Sequence, residues 1–281
     1  MIILQEVIPV KGYPVKSKPV SNSLILGGNA YFPFGRRHGH RHNCNLAVIG
    51  ATDRHFQALV NANLRQGSSN YVVLTSSEDA YQESSAVLID QGYNVIAYDL
   101  RTAITIKDNP ASLLNQSLAT AIFFLFDLEN PASHIRVSNT LTHMFHCLSI
   151  MRSSASGTGC PAHIQFFLDD IDVLSAIPGL TRALSVAYGC GFGIVFSISN
   201  SHKLRRVYPG TADEILDCCD LNLLYGKAIP APNLFSWTFL RSILQTISAD
   251  KCELHVKYHP PRRIIPLSGR SETFLCVRHG N

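Results

Sequence analysis

From Asn45 onward, short apolar runs alternate with segments whose apolar residues recur at helical spacing. The runs are Leu46–Gly50, Tyr71–Thr75, Asn94–Tyr98, Ala121–Phe126, His163–Leu168, Phe192–Ser197 and Leu221–Tyr225. They are too short and too continuously apolar for amphipathic helices, and they read as strands buried on both faces. Phe56–Leu64, Glu78–Gln91 and Ile135–Ile150 read as helices. In the last of these, Val137, Leu141, Phe145 and Leu148 fall on one face. Strand–helix alternation of this kind predicts an α/β fold, a mostly parallel sheet with helices on both faces.

The flanks are less regular. Residues 1–44 carry Pro9, Pro14, Pro19 and Pro33 among short apolar pieces, which predicts a lead-in of short strands and loops before an α/β domain over 45–281. Three breaks interrupt that domain: polar Arg101–Ser117, the Ser/Gly-rich loop Ser153–Gly159, and Gly226–Pro232. A final helix is expected over Leu234–Ile247, with strands at Glu253–Lys257 and Thr273–Val277.

Composition narrows the class. With 46% hydrophobic and 16% charged residues the chain is globular, not disordered. A net charge of +4 permits contact with nucleic acid but is too mild to argue for it. The eight cysteines form no C-x-x-C pair and lie mostly in apolar runs, which suits buried thiols in a reducing compartment rather than a zinc ribbon. No basic stretch followed by a long apolar one opens the chain, and its longest strongly apolar run, Ala121–Phe126, is too short to cross a bilayer. The expected location is the cytoplasm.

Candidate chemistry concentrates at strand ends, where Gly50–His55 and Asp169 are expected to face each other across adjacent strands. His163–Leu168 closes on Asp169-Asp170. An acid at the end of a buried strand is the Walker B pattern, in which the first carboxylate holds Mg²⁺ and the second orients the attacking water. An ordinary strand end with acids capping the next helix gives the same pattern. A phosphate loop belongs after the first strand of the alternation, where the chain reads Gly50-Ala51-Thr52-Asp53-Arg54-His55-Phe56. The G-x-x-x-x-G-K-[ST] pattern is absent. A third cluster, Arg36-Arg37-His38-Gly39-His40-Arg41-His42, is basic. On a strand, its alternating histidines would share one face and bind a metal or phosphates; a solvated edge or loop explains them as well.

Taken in order, these segments resemble the cytoplasmic ATPase domain of the TraG/TraD-type conjugative coupling proteins of type IV secretion systems. Asn43-Cys44-Asn45-Leu46-Ala47-Val48-Ile49-Gly50 resembles that family's N-N-N-V-L-V-I-G lead into Walker A. Tyr71–Thr75 and Gln91–Val95 resemble its V-V-T and G-Y-x-V block. Phe166–Ile171 with Ile177-Pro178 resembles F-L-L-D-E-F…I-P, and Cys219–Gly226 resembles C-D-T-x-L-F-L-G. The resemblance spans roughly residues 43–226. It implies a RecA-like P-loop NTPase fold, partners among conjugation and secretion proteins, and assembly as a homo- or hetero-oligomer of RecA-like subunits. It also implies peripheral association with the inner membrane through those partners.

The departures fall on the chemistry. His55 stands where the family has its phosphate-binding lysine, and Phe56 stands at the Thr/Ser position. Ser76-Ser77-Glu78-Asp79 replaces D-P-K-G, Ser199 replaces a glutamine, and Tyr188 and Cys190 replace arginines. The membrane helices and most of an all-helical insertion are absent. Losing two charge-assisted hydrogen bonds removes roughly 3–6 kcal/mol, or ~10²–10⁴ in affinity. Three functions remain open: a non-hydrolysing relative that binds partners, an ATPase that meets the phosphates through Gly50, Thr52, Arg54 and His55 with Mg²⁺ on Asp169, and a single-stranded-DNA binder using Arg36, Arg37, Arg41, Arg262 and Arg263.

Overall fold

The computed structural model describes residues 23–27, 30–33, 43–102, 109–114, 119–153, 163–225, 252–256 and 262–264. Two strands, β1 (Ser23–Gly27) and β2 (Ala30–Pro33), form an antiparallel hairpin. Then come β3 (Leu46–Ile49), α1 (Asp53–Leu64), β4 (Asn70–Thr75), α2 (Glu78–Asp90), β5 (Asn94–Asp99), α3 (Pro110–Leu114), β6 (Thr120–Leu125) and α4 (Pro131–Ser153). The second half holds β7 (Ile164–Leu168), α5 (Leu180–Val186), β8 (Phe192–Ile198), α6 (Ser201–Val207), α7 (Ala212–Asp217) and β9 (Leu221–Tyr225), followed by β10 (Cys252–Val256) and β11 (Arg262–Ile264).

One nine-stranded sheet runs β11-β10-β9-β3-β8-β7-β4-β6-β5. The seven strands from β9 to β5 are all parallel, while β10 and β11 add an antiparallel edge. Each of the seven predicted runs is one of these parallel strands. They are legible because β3, β4, β6, β7 and β8 are buried at every position. Successive residues feed opposite faces. Val72, Leu74, Phe166 and Phe196 pack with α4, α5, α6 and α7, whereas Tyr71, Val73, Phe167 and Val195 pack with α1 and α2. The β1–β2 hairpin joins the second of these layers, with Asn63 of α1 bonded to both the N–H and the carbonyl of Ile25.

Several expectations shift. Val137, Leu141, Phe145 and Leu148 are buried on one face of α4 as predicted, and the helix extends beyond the expected bounds at both ends. The stretch Arg101–Ser117, expected to be a polar break, contains α3, whose Pro110, Ala111 and Leu114 are buried. The short helices α5, α6 and α7 were not foreseen. The predicted helix Leu234–Ile247 and strand Thr273–Val277 lie outside the described residues. No described helix is long and apolar enough to cross a membrane.

Candidate functional site

The C-terminal ends of β3, β8 and β7 line up side by side, and the sequence candidates gather there. In this crevice α1 leaves β3 onto one face of the sheet while α6 and α7 follow β8 onto the other. Open α/β sheets bind their ligands at such positions. Gly50 and Asp169 reach the same end of the sheet, but their strands are not neighbours as expected. β8 runs between them, and the Gly50 N–H donates to the Ile198 carbonyl at 2.9 Å.

The β3–α1 turn consists of Gly50, Ala51 and Thr52 alone. Gly50 takes φ 73°, a left-handed conformation that glycine adopts without penalty. Thr52 caps α1: its carbonyl and its hydroxyl both accept from the His55 N–H, at 2.9 and 3.4 Å. The hydroxyl also lies 3.0 Å from His55 Nδ1. The His55 ring stacks on Tyr225 at the end of β9, with ring centroids 4.9 Å apart and planes 23° apart. Asp53 and Arg54 are exposed. The pattern that cradles a triphosphate places a longer glycine-rich loop here and turns several backbone N–H groups inward. This turn is shorter, its His55 amide serves the cap, and Asp53 brings a negative charge. The residues present do not fit a bound nucleotide triphosphate.

At the end of β7, the parallel register sets Leu168 beside Phe196, so Asp169 comes beside Ser197. The Ser197 hydroxyl donates to Asp169 Oδ1 at 2.6 Å and accepts from the Asp170 N–H at 2.7 Å. Asp170 adopts φ 50°, a left-handed conformation that aspartate tolerates better than most residues. Asp172 Oδ2 accepts from the Ser199 N–H at 2.8 Å, and Lys203 Nζ donates to the Ser199 hydroxyl at 3.3 Å. Burial, then the Asp170 charge, pushes Asp169 up to about 7, against the Ser197 hydrogen bond that favours its anion. Asp170 rises to about 6 through burial, Asp172 and Asp53, with Lys203 pulling the other way. Asp172 is raised chiefly by burial. Asp53 raises both Asp169 and Asp170, so the two halves of the crevice feel each other's charge.

Sequence reading singled out Gly50, Thr52, Arg54, His55, Asp169 and Asp170, and the fold brings them to one end of the sheet. It missed Ser197, Asp172, Lys203 and Tyr225. Strand register and strand order bring Ser197, Lys203 and Tyr225 to the site, whereas Asp172 follows Asp169 and Asp170 in the chain. Tyr188 and Cys190 precede β8 and lie toward the opposite end of the sheet. Arg36, Arg37, Arg41 and His38, His40 and His42 lie outside the described residues. Arg262 and Arg263 are on the edge strand β11, paired with Leu254 and Glu253. Among the described residues no group of three or more His, Cys, Asp or Glu side chains has metal-holding geometry.

No family model matches the chain, and no curated protein does. Solved structures do. The bacterial conjugative coupling protein TrwBdeltaN70 with sulphate superposes at a TM-score of 0.62 over 90% of this chain and 91% of that one, at 11% identity. The chain has the coupling-protein fold. The plasmid coupling protein TrwB with ADP and Mg²⁺ matches at 0.59, over 90% of each chain at 10% identity. VirB4 of Thermoanaerobacter pseudethanolicus matches at 0.53, covering 89% of this chain and 97% of that one at 10% identity. Thermomonospora curvata EccC with a signal sequence peptide matches at 0.50, covering 93% of this chain but 42% of that one, also at 10% identity. These likenesses, at 10–11% identity, show the fold and leave the chemistry of the crevice to this chain's own residues.

Proposed function

We propose that this chain is a coupling-protein-like component of a conjugative DNA-transfer or type IV secretion apparatus that binds partners without hydrolysing ATP. One observation carries the reading. The β3–α1 turn, where this fold would hold phosphates, has shrunk to three residues closed by the Thr52 cap, with His55 stacked on Tyr225. The Asp53 carboxylate in the first turn of α1 adds to this, since its charge, which also acts on Asp169 and Asp170, opposes a polyanionic ligand at the turn. A fold persists readily after its chemistry has gone, because function resides in the site.

The likenesses supply the partner class. TrwB, a conjugative coupling protein, supports a role among conjugation and secretion proteins; we propose that the chain works there as one subunit in an assembly of RecA-like subunits, held at the membrane periphery by its partners. EccC, whose ATPases 2 and 3 were solved with a signal sequence peptide, supports recognition of a protein segment on this fold. The test is a steady-state ATPase assay on the purified protein with Mg²⁺. Turnover stays at the background rate. Turnover above background that disappears in Asp169→Asn would instead establish a working ATPase, with Arg54 at the phosphates.

A further inference from the structure

Away from the crevice, α4 and α5 enclose a cleft of about 400 Å³ on the other side of the α4 layer. Its floor is Phe145, Ala183 and Val186, and its rim carries Ile150, Pro178 and Arg182. Ile150 is 55% exposed and lines the cleft. The cleft is large enough for one or two apolar side chains of a partner.

Charge gives the occupant its chemistry. The 23 residues of α4 include no Asp or Glu, and the seven of α5 include none, so the walls contribute arginine and histidine but no acid. Arg182 and His146 are both exposed at the rim. An apolar slot whose one charged lining residue is Arg182 is complementary to a segment with an apolar anchor beside a carboxylate, and it disfavours the same segment carrying lysine. Two helices flanking an apolar groove receive such anchors most readily from an amphipathic helix.

We infer that the α4–α5 cleft is a docking site for a helical segment of a partner protein that seats apolar side chains against Phe145 and Ile150 and an acidic residue against Arg182. This rests on the partner-binding role proposed above and gives that role a place and a chemistry.

Two fluorescein-labelled amphipathic peptides test it, sharing one leucine face flanked by glutamates in one and by lysines in the other. In fluorescence anisotropy the glutamate peptide binds tighter by roughly tenfold or more. Ile150→Asp weakens it by roughly tenfold, while the control Ile89→Asp, at an equally exposed isoleucine on α2, leaves it unchanged. Arg182→Glu removes the preference for glutamate over lysine. Circular dichroism establishes that these surface variants are folded. Equal affinities for the two peptides, no saturable binding by either, or an Ile150→Asp protein that binds like the parent would each overturn the inference. So would a dimer of the protein alone, seen in sedimentation and dissociated by Ile150→Asp, because the occupant would then be a second copy. ATP turnover is measured separately, so a failure here leaves the reading of the crevice standing, and turnover there leaves the peptide result intact.

Discussion

Asp169 concentrates the residue-scale argument. Its position at the end of a buried strand is visible in the sequence, because it directly follows the apolar run ending Phe166-Phe167-Leu168. Its environment is not visible, since Ser197, Asp170 and Asp53 reach it only through the fold. The consequence is a pH dependence with a definite sign. Its folded pKa of about 7 lies above the unfolded value of about 3.9, so the native state holds the proton more tightly. Stability contributed by this group is complete below about pH 4 and declines as pH rises to about 7. Asp169→Asn keeps an acceptor for the Ser197 hydroxyl without the buried charge. It should raise the melting temperature at pH 8 and flatten the slope between pH 5 and 7 relative to the parent, read by thermal melts across pH. A variant less stable than the parent at pH 8 would show that the carboxylate is held by a favourable partner instead.

At the scale of elements, strands were legible and short helices were not, for a physical reason. A strand buried on both faces shows itself as an unbroken apolar run. α5, α6 and α7, with seven, seven and six residues, offer too few turns for a period to emerge. Caps mark two of the helix starts: Ser77 accepts from the Ala80 N–H at the start of α2, and Asn200 from the Lys203 N–H at the start of α6, though neither was singled out from the sequence. The hidden constraint is close packing between β8 and the approach to β3. A Cβ on Gly193 would meet Cys44 Cβ and Gln165 Oε1 at 2.9 Å and the Cys44 carbonyl at 3.1 Å. Because Cys44 leads directly into β3, the backbone there has little freedom to move. Gly193→Ala should therefore destabilise the protein by about 1–3 kcal/mol in urea denaturation. Unchanged stability would mean that the N-terminal end of β8 and the approach to β3 can move apart, at the end of the sheet opposite the crevice.

At the scale of the whole molecule, the order of apolar runs specified the α/β architecture and its resemblance, but not the strand order. Which strands are neighbours depends on crossover connections between distant segments. For that reason Gly50 and Asp169 were expected on adjacent strands and are separated by β8. The same scale governs any contact with DNA. If Arg36, Arg37, Arg41, Arg262 and Arg263 all engage a single strand, its affinity should fall with salt at a log–log slope of about −3.5, from about −0.7 per contact. Anisotropy of a labelled oligonucleotide at two salt concentrations checks this, and no binding at low salt would leave protein partners as the ligands.

The central claim is that a coupling-protein fold persists here without its nucleotide chemistry, and the measurement that meets it most directly is thermal unfolding with and without Mg²⁺-ATP. A functioning site filled at 100 times its dissociation constant would stabilise the native state by about 2.7 kcal/mol. In a chain of this size, that moves the midpoint by roughly 5 °C or more. With the turn cut to Gly50, Ala51 and Thr52 and Asp53 directly after it, the midpoint should not move. A rise of several degrees that depends on Mg²⁺ and is lost in Asp169→Asn would contradict the account.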